Sequence, residues 1–213
     1  MRVDAKAEGL LICIGGLMPV ASSDGRISVK DSPWFSVVLD EITAPWAYSK
    51  GEPYRTISAL ELLATLVALL VFHKFLAQTS DKSYAKVGLS VVEGFTDSRV
   101  ATHVAGHMSS TKFPLCVVAM ELSAQLEDLK PSLSLEWAPR EVNQEADDLT
   151  NEKFEAFSDR LRVPVVLKDL PWIYLPTALE QGMEFYGQKT KAQARSTTDR
   201  KGKRRPLRET DPW

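Results

Sequence analysis

Residues 58–70 read Ser-Ala-Leu-Glu-Leu-Leu-Ala-Thr-Leu-Val-Ala-Leu-Leu, and the glutamate at position 61 decides how the rest of the chain is read. The stretch belongs to a helix expected over Thr56 to Leu76, with Thr56 or Ser58 available as its cap. A helix that is apolar nearly all round has no solvent face and is expected to be buried. At helical spacing Glu61 is flanked by Ser58, Ala64, Thr65 and Ala68, a stripe of small residues that lets the helix approach a sheet closely. A carboxylate on that stripe either points inward, which is costly unless something pairs with it, or reaches solvent or an arginine. The most apolar run, Ile57 to Phe72, has sixteen residues. That is short of the roughly 20 needed to span a membrane, so a core helix of a soluble protein is expected.

Upstream of this helix, Val3 to Lys6, Leu10 to Leu17 and Trp34 to Leu39 read as strands. Glu8-Gly9 supplies a tight turn between the first two, and Asp24-Gly25 is a hairpin signal in the polar segment Met18 to Pro33. Downstream, Lys86 to Phe95 returns to strand character, followed by a short helix over Asp97 to His107 and a longer one over Phe113 to Leu129. Leu133 to Trp137 is a fifth strand, and Asn143 is placed to cap a helix beginning Gln-Glu-Ala-Asp-Asp-Leu. A run of strands followed by strands alternating with helices implies an α/β fold, a five-stranded mixed sheet flanked by helices. Val163 to Leu167 is a candidate edge strand and Pro176 to Tyr186 a candidate closing helix, with Pro164, Pro171 and Pro176 preventing one continuous element. From Gln188 onward apolar residues nearly vanish, and disorder is expected.

A length of 213 residues, 44% hydrophobic and 25% charged, suits one domain and an extension. Cys13 and Cys116 form no disulfide framework, which favours a reducing intracellular compartment, nuclear or cytoplasmic. The net charge of −2 is uneven: residues 188–213 hold nine basic and three acidic residues, a net +6 that leaves −8 on the remainder. An acidic body is unusual for a passive nucleic-acid binder and reasonable for an enzyme that gathers carboxylates around metal ions. The basic run Lys201 to Pro206 reads equally as a nuclear signal, a nucleic-acid contact or a solubilising tail. No Ser-His-Asp order or glycine-rich phosphate loop is present, and His103 and His107 lack the HExxH context of a zinc site. Gly15-Gly16 reads as a strand irregularity, and Trp137 as core or as part of an active-site edge.

Three other acids sit in telling places. Asp4 is on the first strand, where aspartate is disfavoured; Asp97 stands between a strand end and a helix start; Asp147 and Asp148 lie in the first turns of a helix. Each alone has an ordinary explanation as a surface or capping residue. Read with their flanks, the blocks Asp4-Ala-Lys-Ala-Glu-Gly9, Leu60-Glu-Leu-Leu-Ala64, Thr96-Asp-Ser98 and Asn143-Gln-Glu-Ala-Asp-Asp-Leu149 follow one another in order. The last is led in by Trp137-Ala-Pro-Arg-Glu141. This ordered set, over about residues 1–155, resembles the type 1 ribonuclease H family, especially the domain of retroelement reverse transcriptases.

The resemblance implies a ribonuclease H-like domain over 1–155, with strands 1–3 antiparallel and strands 4 and 5 parallel to strand 1. Residues 156–187 then form an extension packed on or beside it, and 188–213 a basic disordered tail. It further implies that Asp4, Glu61, Asp97 and Asp147 hold two Mg²⁺ or Mn²⁺ ions, Leu149 fixing the frame that selects Asp147 over Asp148. Oxygen-only ligands suit such ions, and four carboxylates without them would repel one another. The implied substrate is an RNA–DNA hybrid, with Arg140, Asn143 and Lys112 as substrate contacts, and the implied neighbour is an upstream polymerase domain in a longer polyprotein. Two departures stand out: Arg140-Glu141-Val142 occupies the loop where many members carry a histidine, and Lys6 stands where a small hydroxyl residue is common. A catalytically silent module of the same fold, or another nuclease or integrase of the superfold, stays open as an alternative.

Overall fold

The computed structural model describes residues 1–21, 27–79 and 90–187. Its sheet comprises β1 (Arg2–Glu8), β2 (Leu11–Leu17), β3 (Trp34–Leu39), β4 (Ser90–Thr96) and β5 (Pro131–Trp137). The strand order is β3-β2-β1-β4-β5. β1, β2 and β3 form an antiparallel meander, whereas β4 pairs in parallel with β1 and β5 in parallel with β4. This is the ribonuclease H-like arrangement that the resemblance implies. Gly9, at φ +59, makes the turn between β1 and β2, a conformation for which glycine has no steric penalty. The Asp24-Gly25 turn signal, the first residues of the strand expected from Lys86, and the tail from Gln188 lie outside the described residues.

Side chains alternate across β1 and its neighbours, so the sheet has two differently covered faces. Val3, Ala5, Ile12, Ile14, Phe35 and Leu39 pack with α1 (Ile57–Thr79) and α3 (Leu115–Leu129). α1 is the helix apolar nearly all round, and its residues from Ala59 to Leu70 are all buried. The one described segment long and apolar enough to cross a membrane, Pro53–His73, is this helix with its lead-in turn, and most of it is buried within the fold. Neither expected residue caps it. The chain enters through the 3-10 turn Pro53–Thr56, and the Thr56 hydroxyl donates to the carbonyls of Ala47 and Pro53. The crossover from β4 to β5 runs through α2 (Arg99–His107) and α3.

The opposite face of the sheet is covered by α4 (Gln144–Thr150). Gly15 lets it come close, and Gly16 beside it serves the other face. Gly15 and Gly16 keep regular pairing with β1 and β3, so the expected strand irregularity is absent. A Cβ at Gly15 would stand 2.9 Å from the Cβ of Leu149, and one at Gly16 would stand 2.8 Å from the ring of Phe35. The physical reason for the pair is therefore close packing on both faces. Cys13 lies beneath α4 as well, buried beside the Leu149 carbonyl and Ser36.

Residues 156–187 wrap the body in two places. Trp34 is flanked by Phe154, Phe157 and the Arg162 guanidinium, and its indole donates to the carbonyl of Ser158 at 2.9 Å. The edge strand expected over Val163 to Leu167 reduces to one parallel bridge, Trp34 with Arg162, because Pro164 removes the next donor. Farther on, fully buried Glu121 of α3 accepts the backbone amides of Ile173, Tyr174 and Leu175 at 2.7–2.8 Å. Those amides open a helix, α5, running over 175–187, so a carboxylate satisfies its free N–H groups. α5 is seated by Phe113, which stacks on Tyr186 and abuts Gly182.

Gly15→Ala forces α4 off the sheet or displaces Leu149. The expected cost is about 1–3 kcal/mol, read by calorimetry as a fall in Tm of roughly 2–10 °C. An unchanged Tm would show that the two elements are not in close contact.

Candidate metal centre

The acids converge where β1 and β4 part. The two strands pair at only one register position, Arg2 with Phe95, so the backbone beyond it is free for other partners. Glu61 enters from α1, its carboxylate accepting the hydroxyl of Thr96 at 3.3 Å and lying close enough to the Ala5 amide for that amide to favour its charged form. Asp4, one residue before Ala5, is held by the hydroxyl of Thr150 in α4. Asp97 follows the last residue of β4, and the cap of α2 is Ser98, whose hydroxyl accepts the Ala101 amide at 3.2 Å. Asp97 is therefore not spent on capping. Ligand oxygens of Asp4, Glu61 and Asp97 all lie within 4.8 Å of one another.

Such crowding leaves an electrostatic signature. Burial raises the Asp4 carboxyl to about 6, opposed by the Thr150 hydrogen bond and reinforced by the charges of Asp97 and Asp147. Glu61 is pushed well above the usual carboxylate range, first by burial and then by Asp4 and Asp97. Asp97 is raised by burial, with Arg140 working against the shift. A set of oxygen donors with no cation among them fits a hard divalent ion such as Mg²⁺ or Mn²⁺ and does not fit zinc, which favours nitrogen and sulfur.

Asp147 stands beside this triad but outside it. One of its oxygens accepts from the Arg140 guanidinium, and the other from Asn151 at 2.9 Å and Gln144 at 3.4 Å. Asp148 turns elsewhere, toward Lys153 and Gln144. The expected substrate contacts fare differently. Arg140 is exposed and pairs with Asp147. Asn143 stands at the N-cap position of α4 without a side-chain capping bond: it is 1% exposed, and its amide donates to the Val3 carbonyl at 2.9 Å, tying α4 to β1. Lys112 lines a depression with Ser49, Lys50, Phe113 and Tyr186, separate from the acids. Lys6 is engaged by Asn151 and Glu8.

Trp137, the final residue of β5, is 44% exposed, so of its two expected places it lies at an edge and not in the core. Three supporting residues escaped the sequence reading: Thr96, Ser98 and Thr150. The first two sit within the Thr-Asp-Ser block, and Thr150 lies three residues after Asp147, one turn along the same helix.

No family model and no curated protein matches the sequence. Among solved structures, the chain is similar to RNase H1 of the halophilic archaeon Halobacterium salinarum NRC-1, at 19% identity and a TM-score of 0.43, covering 73% of this chain and 98% of that one. It is also similar to LC11-RNase H1, isolated from compost by a metagenomic approach, at 22% identity and a TM-score of 0.47, covering 71% and 91%. The same enzyme in complex with an RNA/DNA hybrid matches at 20% identity and a TM-score of 0.45, covering 71% and 92%.

The raised carboxyls set the sign of a pH effect. A folded-state pKa of about 6 for Asp4, against an ordinary 3.8, means that folding favours its protonated form. That contribution is complete below about 4 and is lost as the pH rises through about 6. Metal-free protein is therefore expected to lose Tm across this window more steeply than Asp4→Asn does. Mn²⁺ is expected to restore more Tm at pH 8 than at pH 5, because it needs deprotonated ligands. A Mn²⁺ effect independent of pH would contradict the assignment.

Proposed function

We propose that this chain is a divalent-metal-dependent endonuclease that hydrolyses the RNA strand of RNA–DNA hybrids. The observation that carries the reading is the meeting of Asp4, Glu61 and Asp97, from three distant segments, in one partly buried cluster. Keeping three like charges together has no structural benefit of its own, since apolar residues of similar size would pack there more cheaply. In this reading Asp4, Glu61 and Asp97 hold Mg²⁺ or Mn²⁺, and Asp147, whose charge acts on Asp4 and Asp97, is the fourth ligand of a two-ion site. Two ions bound there supply ionisation of a water and stabilisation of the leaving 3′-oxygen.

The chain's own residues do the positioning. Thr150 orients Asp4, Thr96 and the Ala5 amide orient Glu61, and Arg140 holds Asp147. Hydrolysis breaks the bond between phosphorus and the 3′-oxygen and leaves a 5′-phosphate on the downstream fragment. Preference for RNA comes from contacts to 2′-hydroxyls across the minor groove, with Arg140 and Lys112 as cationic contacts. Residues 1–155 carry the reaction, and 156–187 brace the α3 side through Glu121. The lead-in Trp137 to Glu141 supports a retroelement reverse transcriptase as the parent protein, with a polymerase domain upstream.

One observation favours a second reading, a catalytically silent module of the same fold: the guanidinium of Arg140 already neutralises Asp147. Cleavage of a labelled hybrid decides between the two. The wild type is expected to cut the RNA strand in Mg²⁺ or Mn²⁺, and Asp97→Asn and Glu61→Gln to lose on the order of 10²–10³-fold in rate. Equal rates for wild type and both variants would refute the site, and no cleavage in either metal would favour the silent module.

A further inference from the structure

Two residues at the rim of the acid cluster are not used by the reading above. Trp137 pairs with Thr96 at the ends of β5 and β4. Its indole N–H donates to the Asp97 carbonyl at 3.0 Å, and the Arg99 guanidinium lies over its ring, 4.5 Å from the centroid. Arg99 is itself exposed, the first residue of α2 and two residues from Asp97. Trp34 shows what a structural version of this pair looks like: it too is covered by an arginine, but two phenylalanines enclose it and it is fully buried. Trp137 has no such enclosure and leaves 44% of its surface open.

We propose that Arg99 and Trp137 form a docking platform for the nucleic-acid strand flanking the scissile phosphate, a reading that rests on the ribonuclease function above. An exposed indole beside a carboxylate cluster contributes little to folding, whereas tryptophan and arginine together are the residue types that dominate binding surfaces. The ring is fixed along one edge by the Asp97 carbonyl and on one face by Arg99, so little freedom is lost when a sugar or base stacks on what is left open. Among the described residues Arg99 has this ring contact and no carboxylate partner, which leaves its planar fork of donors for a phosphate. A cation here answers a specific problem. The body outside the tail carries a net −8, and the acid cluster repels the strand that must approach it.

The test measures binding of a short fluorescein-labelled RNA–DNA duplex over a range of salt concentrations, with Ca²⁺ replacing Mg²⁺ so that the duplex stays intact. Trp137→Ala is expected to weaken binding about tenfold, within the range of base–aromatic stacking, without changing the salt dependence. Trp137→Phe retains most of the affinity. Arg99→Gln is expected to lower the slope of log K against log salt by about one, the signature of one lost phosphate contact. All three keep the wild-type Tm increase on adding Mn²⁺. Wild-type affinity and slope in both Arg99→Gln and Trp137→Ala would overturn the platform, and should Trp137→Ala fail to fold, the Arg99→Gln slope decides. A wild type that cleaves the hybrid while both variants bind normally sinks the platform alone. A wild type that binds but never cleaves, with both variants weakened, leaves the platform standing and sinks the ribonuclease reading. No binding by the wild type overturns both.

Discussion

Glu61 is a carboxylate carried into the interior by a helix with no polar face, and it arrives beside two other carboxylates. Desolvation and mutual repulsion both oppose this arrangement, and both show in the raised carboxyls of Asp4, Glu61 and Asp97. The fold is organised around making the meeting tolerable. β1 and β4 part after one paired position, and the nearby Ala5 amide favours the charged form of Glu61. Thr96 and Thr150 add hydroxyl donors, and Arg140 brings in one guanidinium. These groups soften the repulsion without cancelling it. What is left over is a set of oxygen donors that suits a hard cation.

The placement of α4 is the second constraint. Thr150 reaches Asp4, and Asp147 stands beside the triad, because Gly15 lets this helix lie almost against β2. Asn143, buried and bonded to Val3, and Arg2, paired with Glu145, tie the start of the helix to the first strand. The extension performs no chemistry in this account. It encloses Trp34 on one side and anchors α5 to Glu121 on the other, which holds α3 against α1 and so fixes the helix that carries Glu61.

Much of this was legible in the sequence, for identifiable reasons. Strand alternation and the long apolar helix are strong periodic signals, and β3 falls where Trp34 to Leu39 placed it. Glu61 stood out because burial of an acid is rare, and it is buried here. Local rules misled where tertiary contacts overrode them. Asn143 looks like a cap, but its amide is drawn to the Val3 carbonyl, which no local pattern encodes. Gly15-Gly16 looks like a bulge because sequence does not reveal what packs above a strand. Trp137 reads as core or as edge alike because hydrophobicity does not report that a ring at the end of β5 keeps 44% of its surface open. The engagement of Asp147 by Arg140 is likewise invisible in the motif that contains them both.

In the proposed function the Asp4, Glu61 and Asp97 carboxylates form a cation site. Anomalous diffraction at the manganese edge, from crystals of the full chain grown with Mn²⁺, tests it most directly. The expected result is a peak bounded by carboxylate oxygens of all three residues, at distances of roughly 2.0–2.3 Å, typical of small hard divalent ions. A map with no peak there at saturating Mn²⁺, or with the Glu61 carboxylate turned away from Asp4, would contradict it.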